Sequence, residues 1–336
     1  MITYIIRRLI AALLLLFIVS VVTFGIFFVV PQLLGGTPET LATRYVGRAA
    51  TPETVHLIAD QLGFYDSIPV QYIHWLQGVL FGASYDYGSG VEQCHAPCFG
   101  YSFITHQQVW PELLDRLPVT FSLAIGAAFL WLLFGMSTGV VSALRRGSLI
   151  DRAAMTISLA GVSLPIFFTG IMALSLSHIL NFGPSDYGYV NFFDDPIGWA
   201  NVLLLPWVTL AFLFSAQYAR LTRAGMLETM GEDYIRTARA KGLRERDVTL
   251  RHGLRGALTP ILTIFGLDFG LLIGGAVLTE KTFSLPGLGK YAIDAIGAND
   301  LPKVMGVTIM AAFFVIAASL IVDLLYAVVD PRVRLN

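Results

Sequence analysis

Residues Arg220–Pro260 read RLTRAGMLETMGEDYIRTARAKGLRERDVTLRHGLRGALTP. Nine of them are basic (Arg220, Arg223, Arg236, Arg239, Lys241, Arg244, Arg246, Arg251 and Arg255), and the stretch lies between two apolar runs that each look able to cross a bilayer. Lys and Arg collect in loops that stay on the cytoplasmic side, so this stretch sets the sidedness of the chain. Within it, GEDYIRTARAKG (231–242) reads as a short helix with signals at both ends. Glu232 and Asp233 stand where the helix dipole favours anions, Arg239 and Lys241 where it favours cations. Gly242 is placed to stop the helix in a left-handed conformation. Tyr234 and Ala238 share one face, flanked by Ile235, Thr237 and Ala240, a compact surface suited to packing closely against another protein.

Working outward, apolar residues make up 55% of the 336 and charged residues 13%, against roughly 45–50% and about 25% in soluble domains. Six segments are long enough to span a membrane: Leu9–Val30, Val119–Leu144, Ala153–Leu180, Val202–Tyr218, Leu258–Leu278 and Val304–Val329. With both termini inside, Arg7, Arg8, Arg145, Arg146, Arg152, the nine of the central stretch, Arg332 and Arg334 are cytoplasmic, sixteen of the 22 basic residues. The expectation is an all-α, multi-pass membrane protein with cytoplasmic termini. The first apolar run ends at Pro31-Gln32 and exceeds the roughly 7–15 residues of a signal-peptide core, which predicts an uncleaved first span.

The chain divides into a first span (1–30), a large outer region (31–117), a membrane core (118–330) containing the central loop (219–257), and a cytoplasmic tail (331–336). In the outer region Thr51 is placed to cap a helix with Pro52 at its first position, Val55, Ile58 and Leu62 on one face, and Gly63 ending it. A second amphipathic stretch puts Val70, Ile73, Leu76 and Leu80 on one side. Pro165 predicts a kink in the third span, and Gly266, Gly270, Gly274 and Gly275 predict close helix approach in the fifth. The outer loop 181–201 is acidic and aromatic, with Asp186, Tyr187, Tyr189, Phe192, Phe193, Asp194 and Asp195.

No nucleotide site is encoded. Gly287–Lys290 (GLGK) lacks the earlier glycine of a phosphate loop and is followed by Tyr291 rather than Ser or Thr. Asp268, Asp323 and His178, the ionisable residues within spans, lie on different helices at different depths and form no catalytic constellation. Inverted repeats of the kind built into many secondary transporters are not evident. Asp268, near mid-membrane, should face the bundle interior, a partner or water. Contact with a cationic substrate, a structural hydrogen bond and a protonated carboxyl all remain open for it.

DYIRTARAKGL followed by RHGLRGALTP resembles the cytoplasmic loop of ABC importer permeases, in the form found in dipeptide, oligopeptide and nickel systems. Ala238 and Gly242 match the second Ala and the Gly of that loop's motif, while Arg236 and Thr237 replace its Glu and first Ala, and its Pro comes late, as Pro260. The opening MITYIIRRLIAALLLLFIVSVVTFGIFFVVPQ, the segment LGFYDSIPVQYIHWLQGVLFG, Arg116-Leu117-Pro118, the outer run Glu280–Gly289 (EKTFSLPGLG) and Asp330-Pro331-Arg332 are similar to the same family. The resemblance implies a type I importer permease fold in a bacterial inner membrane, half of a pathway for peptides, with nickel or another small solute as the alternative, working by alternating access. It implies a coupling helix carrying Asp233, Tyr234, Arg236, Thr237, Ala238, Lys241 and Gly242. The implied partners are a second homologous permease, one or two ABC ATPases that hold ATP and magnesium, and an extracytoplasmic binding protein. Membrane lipid surrounds the chain, nucleic acid has no place in this reading, and the chain itself carries no cofactor and no catalysis.

Against that family, 88–107 looks like an insertion. It holds Cys94 and Cys98 on the outer side, where a short disulfide is expected. A metal site with His95 and His106, or free thiols, are the other readings; Cys-x3-Cys is a weak metal pattern. For the two outer helices, lying on the membrane surface and contacting a binding protein are both open.

Overall fold

A computed structural model describes residues 2–46, 51–86, 90–180 and 188–329. Asp186 and Tyr187 of the outer loop and the tail motif at Asp330, Pro331 and Arg332 lie outside these residues. The first apolar run forms α1 (Ile2–Phe24), continuing through a π-helical turn (Gly25–Val29) into α2 (Val30–Leu33). Three outer helices follow: α3 (Pro38–Val46), α4 (Pro52–Gln61) and α5 (Ile68–Phe81). Thr51 caps α4 by accepting from the Thr54 N–H, and Ile58 is fully buried with Val55 and Leu62 packed around it.

The apolar stripe of α5 faces the other way from an ordinary amphipathic helix. Gln71 is 3% exposed, while Val70, Ile73 and Leu80 point outward. The Gln71 side chain donates to the Phe64 and Asp66 carbonyls and accepts from Gln32 Nε2, so its burial is satisfied. Beside it the Tyr72 hydroxyl meets Ser20 Oγ at 2.8 Å, and the Tyr72 and Trp75 rings pack on Phe24 of α1. Aromatic rings with polar tips dock α5 against the first span.

The chain is mostly helical, as expected, with two short ladders before α6. β1 (Ala83–Asp86) pairs antiparallel with β2 (Val91–Cys94), and β3 (Tyr101–Ser102) with β4 (Gln107–Gln108). A disulfide joins Cys94 and Cys98. Ser102 Oγ donates to the buried Asp300 carboxylate at 2.5 Å, and Phe99 stacks on Trp110 at 5.5 Å, so the insertion is fixed to the bundle.

Among the described residues, five helical stretches are long and apolar enough to cross a membrane: Ile5–Leu33, Val109–Leu144, Pro196–Thr229, Glu245–Gly275 and Leu301–Leu324. The expected third span is instead α7 (Leu149–Ser163) and α8 (Ile166–Ile179), bent by 105°. Leu164 between them is extended, the conformation favoured before a proline, and Pro165 opens α8. Two other helices overrun their predicted ends: α6 (Val109–Leu144) begins well before Val119, and α9 (Pro196–Thr229) continues past Tyr218. At 1.5 Å per residue they run about 54 and about 51 Å, well beyond a hydrocarbon core of about 30 Å.

α6 packs most extensively on α9. A Cβ at Gly135 would stand 2.9 Å from the Ser215 carbonyl oxygen, and one at Gly139 2.6 Å from that of Ala219. One turn before Gly135, Trp131, wholly buried, stacks on Phe214 of α9 at 4.7 Å. α12 (Leu254–Gly275) lies on α15 (Leu301–Val329), with Gly266, Gly270 and Gly274 facing Val322, Ala318 and Ala311 as the glycine spacing predicts. α11 (Glu245–Asp247) and a π-helical turn (Val248–Gly253) lead into α12, and α13 (Val277–Thr282) and α14 (Leu288–Ala298) bridge α12 to α15.

Gly139→Val should lower thermal stability in detergent by about 1–3 kcal/mol through overpacking of this seam. Gly297→Ala, where an added Cβ meets nothing within 4 Å, serves as the neutral control in the same melting assay.

Candidate coupling site

Most of the central stretch is helix. α9 carries Arg220 and Arg223 down to Thr229, and Glu245 onward belongs to the rod that becomes α12. What lies between is α10 (Asp233–Ala240) with its two turns. Gly242 has φ +75°, its N–H donates to the Arg239 carbonyl, and the Leu243 N–H donates to the Ala238 carbonyl. This is the paired-bond stop that the sequence predicts, and it satisfies two carbonyls that a helix end leaves orphaned.

The buried face differs from the expected one. Ile235 is fully buried and Ala238 is 6% exposed, packed with Val248 and Met230 of the same chain. Ala238 therefore lies under the helix and positions it. Val248, which fills the space beneath, comes from the π-helical turn after α10, so helical spacing alone could not reveal which face would be covered. The outward surface carries Asp233, Tyr234, Arg236, Thr237, Ala240 and Lys241. Tyr234 is 47% exposed, and partial burial followed by the nearby Glu232 raises its hydroxyl pKa above the ordinary value. A Cβ on Gly256 would stand 3.1 Å from the Tyr234 hydroxyl, which places α10 across the start of α12.

Several of the nine basic residues are tied. Arg223 is bound to Asp151, Arg236 reaches Asp233 at 3.4 Å, and Arg239 grips Glu245 at 2.8 Å. Glu245, although solvated, thus braces the far side of the turn. Lys241, Arg244 and Arg246 are exposed. The charge on this surface is mixed at α10 and basic at its C-terminal turn.

At the end of the bundle away from α10 the run Glu280–Gly289 closes on itself. Glu280 is fully buried, accepts from Thr120 Oγ1 at 2.8 Å and from the Lys290 N–H at 3.0 Å, and Thr120 in turn accepts from the Leu288 N–H. A Cβ on Gly287 would collide with the Glu280 carboxylate, which explains a glycine there. Burial pushes the Glu280 carboxyl above the ordinary carboxylate range, against the pull of those hydrogen bonds. Nearby, Lys303 Nζ and the Tyr291 hydroxyl both hold Glu112, each at 2.7 Å. This group and the Asp151–Arg223 pair escaped the sequence reading, since their members come from distant helices; the lone acid among the arginines of the inner turn was the available signal.

Asp268 accepts from the Tyr218 hydroxyl at 2.9 Å, joining α12 to α9. Of its three open readings, the structural hydrogen bond has a visible partner. Asp323 pairs with Arg8 at 2.9 Å, and His178 sits at the end of α8. Among the described residues no three His, Cys, Asp or Glu side chains converge as a metal site.

Known proteins agree with this architecture. Residues 132–335 match the family described as binding-protein-dependent transport system inner membrane component, and residues 1–124 match its N-terminal companion. The chain is 40% identical over 331 residues to a putative peptide transport system permease protein of Brucella abortus, covering 98% of each. It is 36% identical to a probable peptide ABC transporter permease protein of Sinorhizobium fredii, covering 98% of this chain and 99% of that one. It is 32% identical to the glutathione transport system permease protein GsiC of Escherichia coli, covering 99% of each. The chain belongs to the family of inner-membrane components of binding-protein-dependent transport systems.

Two local substitutions test how α10 is held. Gly242→Ala meets nothing within 4 Å, so it should cost only the conformational penalty of about 1 kcal/mol. Ala238→Trp must open the cluster and should speed amide hydrogen exchange across α10 far more than Gly242→Ala does.

Proposed function

We propose that this chain forms half of the membrane pathway of an ATP-driven peptide importer and that α10 is its coupling helix. Similarity to peptide permeases along the whole length of the chain carries this reading. A short, well-stopped helix on two long membrane helices has the form such a role requires. The reading puts both termini and α10 in the cytoplasm and the α3–α5 region outside. ATP and magnesium belong to partner ATPases, since this chain encodes no phosphate loop. A second permease completes the pathway, an extracytoplasmic binding protein delivers the peptide, and the chain has no catalysis of its own.

α10 presents Tyr234, Arg236, Thr237 and Lys241 to the ATPase, while Ile235 and Ala238 hold the helix at its working angle. A docked helix transmits force only if its base is rigid, so both faces matter, for different reasons. Asp268, bonded to Tyr218, contributes to the pathway by fixing α9 against α12.

Reconstitution with the second permease, the ATPases and the binding protein should give ATP-dependent uptake of labelled trialanine or glutathione. The purified chain alone should hydrolyse no ATP. Thr237→Trp, on the outward face, should weaken ATPase assembly by on the order of tenfold, about 1.4 kcal/mol. Ala238→Trp should abolish uptake and substrate-stimulated hydrolysis together, while Arg246→Ala stays near wild type. Normal uptake by the inserted Thr237→Trp and Ala238→Trp proteins would refute the coupling role. Uptake of nickel but not of either peptide would refute the substrate.

A further inference from the structure

Asp151 stands in the first turn of α7, directly after the turn that joins it to α6, and it is 3% exposed. Each of its carboxylate oxygens takes two donors. Oδ1 accepts from Ser142 Oγ and from Arg223 Nε, the latter at 2.7 Å. Oδ2 accepts from the Gly147 N–H at 2.8 Å and from Arg223 Nη2 at 2.9 Å. Ser148 Oγ accepts from the Asp151 N–H at 3.2 Å and caps α7. A guanidinium fork on a carboxylate fixes orientation as well as distance, which apolar contacts between helices do not.

Arg223 lies near the inner end of α9, on the same rod that delivers α10. α7 is the first limb of the bent pair. Beyond the pair, α7 packs along α9 but leaves a gap on one side. A groove of about 420 Å³, lined by Thr138, Ile150, Ala154, Ile157, Ser215 and Ala219, runs between them. Close contact resumes at Gly161, where a Cβ would stand 3.1 Å from Ala216 Cβ. After the bend, α8 meets the outer run, with a Cβ on Gly170 standing 2.9 Å from Thr282 Cγ2.

We infer that Asp151 and Arg223 are positioning residues that make the bent α7–α8 pair move with α9, and so carry displacement of α10 to the outer Glu280–Gly289 run. The inference rests on the docking role proposed for α10. A displaced α9 lacking this tie would slide along the groove, and α7 would stay behind. Hydrolysis would then continue on the partners without moving the outer half.

The test uses the complete reconstituted importer with labelled trialanine as probe, or glutathione if that is carried faster, and measures ATP hydrolysed per molecule taken up. Asp151→Asn and Arg223→Gln should keep hydrolysis near the unaltered rate while uptake falls, raising the ratio at least about fivefold, the low end of typical coupling. The double variant should be no worse than the poorer single one, since both remove the same link. Arg223→Lys, which keeps the charge but not the fork, should give an intermediate ratio and serves as the test if Asp151→Asn fails to assemble. An unchanged ratio, or parallel loss of uptake and hydrolysis in assembled Arg223→Lys and Arg223→Gln complexes, overturns the inference. Ala238→Trp separates the two proposals. If it transports normally, the docking role falls; if it stops both activities while the Asp151 and Arg223 variants keep a normal ratio, only the present inference falls.

Discussion

The close approach of α6 and α9 is the contact on which the rest of the structure hangs. In hydrocarbon, apolar side chains gain little by leaving lipid for one another, so helices associate through close packing and hydrogen bonds. Gly135 and Gly139 let the α6 backbone reach that of α9, and one turn earlier Trp131 packs against Phe214. Trp207 adds a hydrogen bond from Nε1 to the Ser122 carbonyl at 3.0 Å. Because both helices overrun the bilayer, one seam fixes the outer platform at Val109–Pro118 and the inner lever at Arg220–Thr229 relative to each other.

Polar pairs then orient the remaining helices on this seam. Tyr218 meets Asp268 of α12, Thr120 meets Glu280 of α13, Arg223 meets Asp151 of α7, and Glu112 meets Lys303 of α15. Each has one member on α6 or α9 and the other on a packed neighbour. A buried polar group without a partner is costly in such surroundings, so a helix rotated about its own axis loses its pair. Close packing sets how near the helices come; the pairs select the rotation. The ion pairs among them serve orientation more than stability, since burying two charges offsets much of their attraction.

Much of this was legible in the sequence, and the failures have common physical causes. Apolar length located the continuous spans, glycine spacing found the α12–α15 approach, and the end signals of α10 were read down to Gly242. Hydropathy misplaced the ends of α6 and α9 because Glu112, Asp115, Arg116, Arg220 and Glu228 break the apolar run without breaking the helix. Pro165 announced a bend, but its size depends on where α8 finds Thr282, which local sequence does not contain. The facing of α10 was misread because it is decided by Val248, outside the helix, and that of α5 could not be read because Gln32 and Ser20, far away in the chain, decide it. The two short ladders in the outer region are too brief for alternation to register.

The way α10 is held follows from its size. Eight residues are too few to be a stable helix in water, so tertiary contact must supply the difference. That contact is small: Ile235 and Ala238 on Val248, with Met230 alongside. A larger apolar face would anchor α10 more firmly, but in an isolated turn outside the membrane spans it would either expose hydrocarbon to water or enlarge the loop. A small inward face and a fully hydrogen-bonded stop instead leave the outward residues free for a partner. The rigidity of the element is inherited from α9 and α12 on either side. Force applied to α10 therefore passes into those rods, and whatever is tied to them near the inner surface moves first.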